Sequence, residues 1–459
     1  MRERKHRKFL PALFIAWAPL ISLNVSASDG DPWTLAEQIV ADIERPRIPA
    51  KTYHITDFDA PAEPGADARP AILRAIQTAA RNGGGRVVVP KGTWLSKGPI
   101  VLQSHIELHL QEGAKLLFSP NPEHYLPAVK TRWEGTEVYT YSPLIYAANV
   151  EDVAITGKGI IDGNAGSEFK SWHAKQEADM VRLRKMGAGG VPVEKRIFAE
   201  GTYLRPPLVQ FFHAKRVLLE DYTSLNSPFW VNHLVYTDSA TVRGIRVESH
   251  FPNNDGIDIE SSRNVLVEDS WFRTGDDSVV VKSGRDLDGR TIAAPSERIV
   301  VRNNDMGGED GIALGSEMSG GIRDVFFTDN VLREGISAFR FKSNLDRGGL
   351  VENVHLRNLK VESFENLFWF QLNYPGELGG FFPSTYKDIV FENIDVKKIG
   401  TFLEVHAPAA APLRNVQFRG VSVEQVETPM IIENAVNISF EAVKLGSQQI
   451  DGVLSWREQ

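Results

Sequence analysis

The sequence predicts a right-handed parallel β-helix, an all-β solenoid with a small N-terminal capping helix. Three observations carry that prediction. Short strand-like pieces recur along the chain, among them Asn149–Ile155, Ala214–Glu220, Ala240–Val247, Asn264–Glu268, Arg298–Arg302, Arg323–Phe327, Asn353–Leu356, Lys387–Phe391, Asn415–Phe418 and Asn437–Phe440. Their spacing of roughly 22 to 35 residues lies in the range of solenoid repeats. An Asn often precedes the Val or Ile of a piece, which suits a corner where its amide bonds the backbone and stacks on the Asn of the next coil. Between these pieces there are few tight hairpin turns, which a β-sandwich would need.

The elements follow in order. Met1–Ala27 reads as a signal peptide. Arg2, Arg4, Lys5, Arg7 and Lys8 precede the mostly apolar Phe9–Leu23, and Val25-Ser26-Ala27 is a small-residue cleavage pattern. The apolar run is short for a membrane span and is broken by Pro11 and Pro19. The expectation is an exported protein, periplasmic or extracellular, with no transmembrane segment. Residues 28–52 form an N-terminal extension, in which Leu35, Ile39, Val40 and Ile43 share one face of a short helix over Trp33–Ile43. Residues 53–459 form the β-helix domain. It opens with a capping helix over Pro70–Asn82, stopped by Gly83-Gly84-Gly85. Such a helix covers the unpaired strand edges at an open end of the sheet. Residues 167–204 break the repeat with many charges and a helical run at Glu177–Met186, an insertion over one face of the stack. A shorter insertion is Gly284–Ser296.

Composition narrows the function. The chain has 459 residues, 42% hydrophobic and 24% charged, with a net charge of −8. The leader carries five cations against Glu3, so subtracting its +4 from −8 leaves −12 on the remainder. That balance argues against nucleic acid as a partner, and it means an acidic substrate must be held by local cations. Cysteine is absent, which removes disulfides and thiolate metal sites. No cofactor or metal is expected, and the protein is expected to be a monomer.

The chemistry centres on His250–Gly284. Two acidic turns, Asn253-Asn254-Asp255-Gly256 and Gly275-Asp276-Asp277-Ser278, are one repeat apart. Neighbouring coils lie about 4.8 Å apart, so Asp255, Asp276 and Asp277 fall on one patch. Carboxylates that close repel one another and perturb one another's acidity, which marks a candidate site. Gly308-Glu309-Asp310-Gly311 falls on the next coil and Phe339-Arg340-Phe341-Lys342 on the one after. In a strand Arg340 and Lys342 share a side while Phe339 and Phe341 point inward. By the coil rise this places a cationic pair roughly 10 Å from the carboxylates. His233, following Ser227-Pro228-Phe229-Trp230, is a further candidate for the cleft lining, and Asp258 is read as a turn support. Carboxylates for acid–base work beside cations for an anionic ring suit hydrolysis of a uronic-acid glycoside.

These motifs resemble those of the polygalacturonases, the pectin-degrading family 28 of glycoside hydrolases. Members share an N-T-D-like turn, a G-D-D turn, a G-H-G turn and an R-I-K strand. The matching stretches here are Asn253-Asn254-Asp255, Gly275-Asp276-Asp277 and Arg340-Phe341-Lys342. Thr131–Gly135 and Gly315–Gly321 are similar to bacterial, often exo-acting members. The resemblance implies inverting hydrolysis of galacturonosyl bonds in a pectic poly- or oligosaccharide. Asp276 is then the general acid, Asp255 and Asp277 hold the attacking water, and Arg340 and Lys342 grip the sugar carboxylate. Asn253, Glu309 and His233 are assigned to substrate binding. The family's G-H-G histidine falls on Glu309, an acidic replacement that leaves room for a rhamnogalacturonan-type substrate. A pectate-lyase-type enzyme, with Ca²⁺ on the acidic cluster, and a non-catalytic carbohydrate-binding β-helix are the alternatives.

Overall fold

The computed structural model describes residues 31–456 apart from 62, 64 and 167, so the leader expected over Met1–Ala27 lies outside the described residues. The chain winds as a right-handed parallel β-helix in which nearly all strands join one continuous ladder. One column shows how the repeat is built. Val153, Val217, Ala240, Val265, Ile299, Val325, Val354, Ile389, Val416 and Ile438 each pair with the next, one coil further on. All ten side chains are fully buried.

The corner before each of these residues explains the recurrent Asn. Asp152, Arg216, Ser239, Asn264, Arg298, Asp324, Asn353, Asp388, Asn415 and Asn437 all take left-handed φ values between 53° and 63°. Asn and Asp tolerate that conformation best among non-glycine residues. Their side chains also bond from coil to coil. Asn437 Nδ2 donates to Asn415 Oδ1 at 2.9 Å, and Asn415 Nδ2 to Asp388 Oδ1 at 2.8 Å. The two arginine corners are held in the same way, Arg216 Nε on Asp152 and Arg298 Nε on Asn264, both at 2.7 Å. Towards the C-terminus the core becomes a phenylalanine stack, with Phe341 on Phe370 at 4.2 Å and Phe391 on Phe418 at 5.0 Å between ring centroids.

Both ends are closed. Helix α2 (Arg69–Arg81; α1 is described below) buries Ile72, Ala75, Ile76 and Ala79 against the first coil, within a residue of the expected span at each end. It stops where expected: Gly84 has φ 111°, and a Cβ there would meet the His105 carbonyl oxygen at 2.5 Å. At the other end Gln448–Trp456 turns back to pair antiparallel with Ala435–Leu445, so the parallel stack finishes in a hairpin rather than a further coil. Such a hairpin blunts an edge that would otherwise template pairing with another chain.

The N-terminal extension is strapped to the flank. Helix α1 (Pro32–Asp42) buries Trp33, Ala36 and Ile39 on an outward-facing apolar row, Leu266, Val300 and Phe326, which are register partners on successive coils.

The expected insertion holds helices α3 (Glu168–Trp172) and α4 (Glu177–Ala188). Its strand Ile197–Phe198 joins a hairpin of Val129–Trp133 and Thr136–Thr140 in a separate three-stranded sheet. Leu183 of α4 packs there with Trp133, Val138, Phe198, Leu204, Phe229 and Trp230. The second insertion forms helix α5 (Asp286–Ile292). Its Asp288 accepts from the Glu137 backbone N–H at 3.0 Å and from Arg196 at 2.7 Å, tying both insertions to the hairpin. Among the described residues no helix is long and apolar enough to cross a membrane.

Candidate active site

The two acidic turns do meet. Ile257 pairs with Val279, Val279 with Ile312 and Ala313 with Arg340, so the four motif stretches lie on four consecutive coils. Carboxylate oxygens of Asp255, Asp276 and Asp277 all lie within 4.8 Å of one another. Backbone bonds lock them in place: Val231 N donates to Asp255 O at 2.8 Å, Gly256 N to Asp277 O at 2.9 Å and Ser278 N to Asp310 O at 2.8 Å. Asn254 braces the first turn, accepting from Ser249 Oγ at 2.6 Å and donating to the Phe229 carbonyl at 2.8 Å. Gly256 is required for close approach, since a Cβ would meet the Ser278 carbonyl oxygen at 2.5 Å.

Asp255 and Asp277 are buried, whereas Asp276 is half-buried and makes no ion pair among the described residues. Burial, reinforced by the Asp276 charge, pushes Asp255 up to about 7 against the pull of Lys282 and Lys342. Burial also drives Asp277 well above the usual carboxylate range, against Lys342 and with help from Asp276 and Asp255. Asp255 and Asp277 are therefore weaker acids than free carboxylates, and Lys282 and Lys342 limit the rise.

The cations stand closer than the coil rise suggested. Lys342 Nζ donates to both oxygens of Asp277, at 2.7 and 2.9 Å, and to Asp310 Oδ2 at 3.2 Å. The expected gap of roughly 10 Å between cationic pair and carboxylates is thus corrected: the lysine stem reaches back across the intervening coil, and all three ammonium protons go to carboxylates. Arg340 behaves differently. Its guanidinium lies 3.1 Å from the Trp369 ring centroid and donates to Tyr374 Oη at 2.8 Å and to Gln371. Its Nε and Nη1 are buried without a hydrogen-bond partner. Phe339 and Phe341 point into the core as expected.

Other expected contributors fall elsewhere. His233 is fully buried, with Nε2 at 2.9 Å from Glu260 and Nδ1 at 2.9 Å from Gln210, so it braces the floor instead of lining the cleft. Its strand is covered by Trp230, itself buried. Asn253 takes φ 59° and accepts from Arg205 Nη2 at 2.6 Å. Glu309 is exposed at the rim, while the adjacent Asp310 turns inward to Lys342 and Ser337. Glu309's acidity is weakened by partial burial and then by Asp276 and Asp310.

The sequence reading missed Lys282 and its network. Lys282 Nζ lies 3.5 Å from Asp255, 3.8 Å from Asp258 and 3.2 Å from Glu317. Glu317 also pairs with Arg285 at 2.9 Å. Arg285 reaches Glu134 of the hairpin and Glu377 of the loop after Tyr374, both at 3.4 Å, and Arg184 of α4 bonds the same two glutamates. A buried ion-pair web thus runs from the carboxylates to the hairpin, both insertions and that loop. One signal in the sequence marked it: Lys282 closes the apolar run Val279-Val280-Val281 at an outward-facing position.

Carboxylates gathered beside cations on one face of a parallel β-helix form an arrangement suited to acid–base chemistry on a glycoside. Comparison with known proteins gives the family. The model described as "Glycosyl hydrolases family 28" matches residues 195–442, and the chain belongs to that family. It is 36% identical to the exopolygalacturonase of Thermotoga maritima, whose crystal structure superposes with a TM-score of 0.88 over 92% of this chain and 99% of that one. A Vitis vinifera protein named "Probable polygalacturonase" is 32% identical over 68% of this chain, which spans 62% of that protein's length. An "Exo-poly-alpha-D-galacturonosidase" of Dickeya chrysanthemi is 26% identical over 68% of this chain and 55% of its own length.

Proposed function

We propose that this protein hydrolyses α-linked galacturonosyl bonds in pectic polysaccharide or oligosaccharides, with inversion, from a chain end. The observation that carries the reading is Arg340. Two nitrogens of its guanidinium have no hydrogen-bond partner, Nε lying 4.0 Å from Asp310, and the group sits two coils from three clustered carboxylates. A planar, permanently charged donor with unused hydrogen-bonding capacity in a negatively charged protein suits a substrate carboxylate. Asp276, half-buried and free of ion pairs among the described residues, is the general acid. Asp255 and Asp277 hold and deprotonate water.

The carboxylate spacing differs from expectation. Inverting enzymes commonly keep acid and base about 6.5–9.5 Å apart, and here the nearest oxygens are within 4.8 Å. That distance favours a second reading, retention through a glycosyl–enzyme bond. Inversion is preferred because a nucleophile must reach the anomeric carbon. Asp277 has both oxygens on Lys342, and Asp255 is buried against Lys282; such carboxylates serve better to orient water.

Attack from a chain end is supported by the ion-pair web, which seats the hairpin, α4 and the loop after Tyr374 beside the carboxylates. Export to the periplasm or exterior rests on the leader pattern alone. A panel of pectic oligosaccharides with product sizing tests the substrate: monomer release from galacturonan supports the reading, and cleavage confined to rhamnogalacturonan redirects it. The anomer first formed, read by proton NMR, separates inversion from retention. An unsaturated, chelator-sensitive product would mean a lyase.

A further inference from the structure

We propose that Lys282, which does not reach the cleft, is a positioning residue whose buried ammonium holds Asp255 as the carboxylate that accepts the proton of the attacking water. This inference rests on the functional reading above.

Lys282 belongs to the Val279–Lys282 strand, where Val279 and Val281 join the core and Lys282 turns outward. On the next coil the strand register continues from Val281–Leu314 to Lys282 and Gly315. Lys282 Nζ lies 3.5 Å from the Gly315 carbonyl oxygen. Trp230 covers the ammonium, 4.6 Å from the ring centroid, and the side chain is 5% exposed. With Trp230 over it, its charge acts on the carboxylates beside it.

Those neighbours are arranged around Asp255. Asp255 Oδ2 faces the ammonium at 3.5 Å and Asp258 Oδ1 lies 3.8 Å from it, while Asp255 Oδ1 and both oxygens of Asp258 are buried without a hydrogen-bond partner. Two ionised carboxylates cannot hydrogen-bond each other, and unpaired buried oxygens are costly. A proton on Asp258 removes the conflict, because Asp258 is within side-chain hydrogen-bond reach of Asp255 and can then donate to it. Burial, reinforced by the Asp255 charge, does favour protonated Asp258. Asp255 is left as the charged member, with the ammonium on one oxygen and a hydroxyl at the other.

Glu317 anchors the lysine. Burial works against its charge, yet Lys282, then Arg285 and Arg347, hold its acidity well below the usual range. The result is a division of labour among three neighbouring carboxylates. Asp277 has Lys342 and Asp255 has Lys282, while Asp276 has no ion pair among the described residues.

The test is the pH profile of kcat/KM on galacturonate oligomers, read as new reducing ends, for Lys282→Gln, Lys282→Arg and Glu317→Gln. Removing a cation raises the pKa of the facing carboxylate, and the base works only when ionised. The acid limb of Lys282→Gln should therefore move to higher pH by about one unit or more, with kcat down roughly 10- to 100-fold and KM little changed. Lys282→Arg should restore the limb and part of the rate. Glu317→Gln removes a negative neighbour and leaves the ammonium to Asp255, so its limb should move to lower pH, and that opposite shift serves as the reading if Lys282→Gln does not fold. An unmoved limb, a loss carried by KM alone, or an arginine variant no better than glutamine overturns the inference. A wild-type protein inactive on every pectic substrate overturns the functional reading and this inference with it.

Discussion

Two outward-facing surfaces of the same coils are covered in opposite ways. On one flank Leu266, Val300 and Phe326 form an apolar row under helix α1, with Trp33 edge-on to Phe326 at 5.6 Å. On the other, Glu260 and Lys282 are buried with charged partners, Glu260 on Arg132 of the hairpin at 3.4 Å and Lys282 on Asp255 and Glu317. Burying an apolar side chain stabilises by about 1.5–3 kcal/mol, so the first cover secures the fold. Buried ion pairs roughly break even against desolvation, and deleting one partner costs about 3–5 kcal/mol. The second cover therefore adds little net stability; it supplies a low-dielectric setting in which carboxylates hold protons at pH values where free ones would not. Stability and chemistry are divided between flanks of one repeat.

The largest effect expected from breaking this division is at Asp276. Asp276→Asn keeps the shape and removes the transferable proton. General acid catalysis contributes about 10²–10⁴-fold, so turnover of galacturonan should fall by that order while the melting temperature barely moves. Near-full activity would reassign the acid. Arg340→Leu should come next. It removes a charge-assisted contact and should raise KM for acidic oligomers about 10- to 100-fold, with carboxyl-methylated oligomers unaffected. Equal losses on both would deny Arg340 its role.

On the opposite flank the effect should be on stability alone. Ile39→Ala empties a fully buried site under α1, and such truncations cost about 2–5 kcal/mol. Urea unfolding should show that loss, with kcat per folded molecule unchanged. A drop in kcat would mean the flanks are coupled.

What the sequence could reveal follows the same division. The coil register was legible because period and Asn corners repeat locally, and Asp255, Asp276 and Asp277 came together because their turns recur in phase. Arg340 and Lys342 were correctly placed on one side by strand alternation. Their separate fates were not legible, since Lys342 spends its donors two coils back and Arg340 does not. His233 looked available for the cleft because its loop is aromatic, but Trp230 and Glu260 close over it. Lys282 escaped notice because a lone lysine after three valines acquires meaning only beside Asp255 and Glu317.

The smallest effect, and the one that sharpens the comparison most, is at Glu309. It stands at the exposed rim, where a surface charge acts through solvent, yet Asp276 and Asp310 already weaken its acidity. In Glu309→Gln, KM for an anionic oligomer should fall, by no more than about threefold at low salt, because a rim charge is screened within roughly a Debye length, about 10 Å at 0.1 M. Raising the salt should erase the KM change in Glu309→Gln but leave the Arg340→Leu defect largely in place, since Arg340 is buried. If salt erased both equally, Arg340 would be acting as a surface charge, and the contrast between rim and buried flank would not hold.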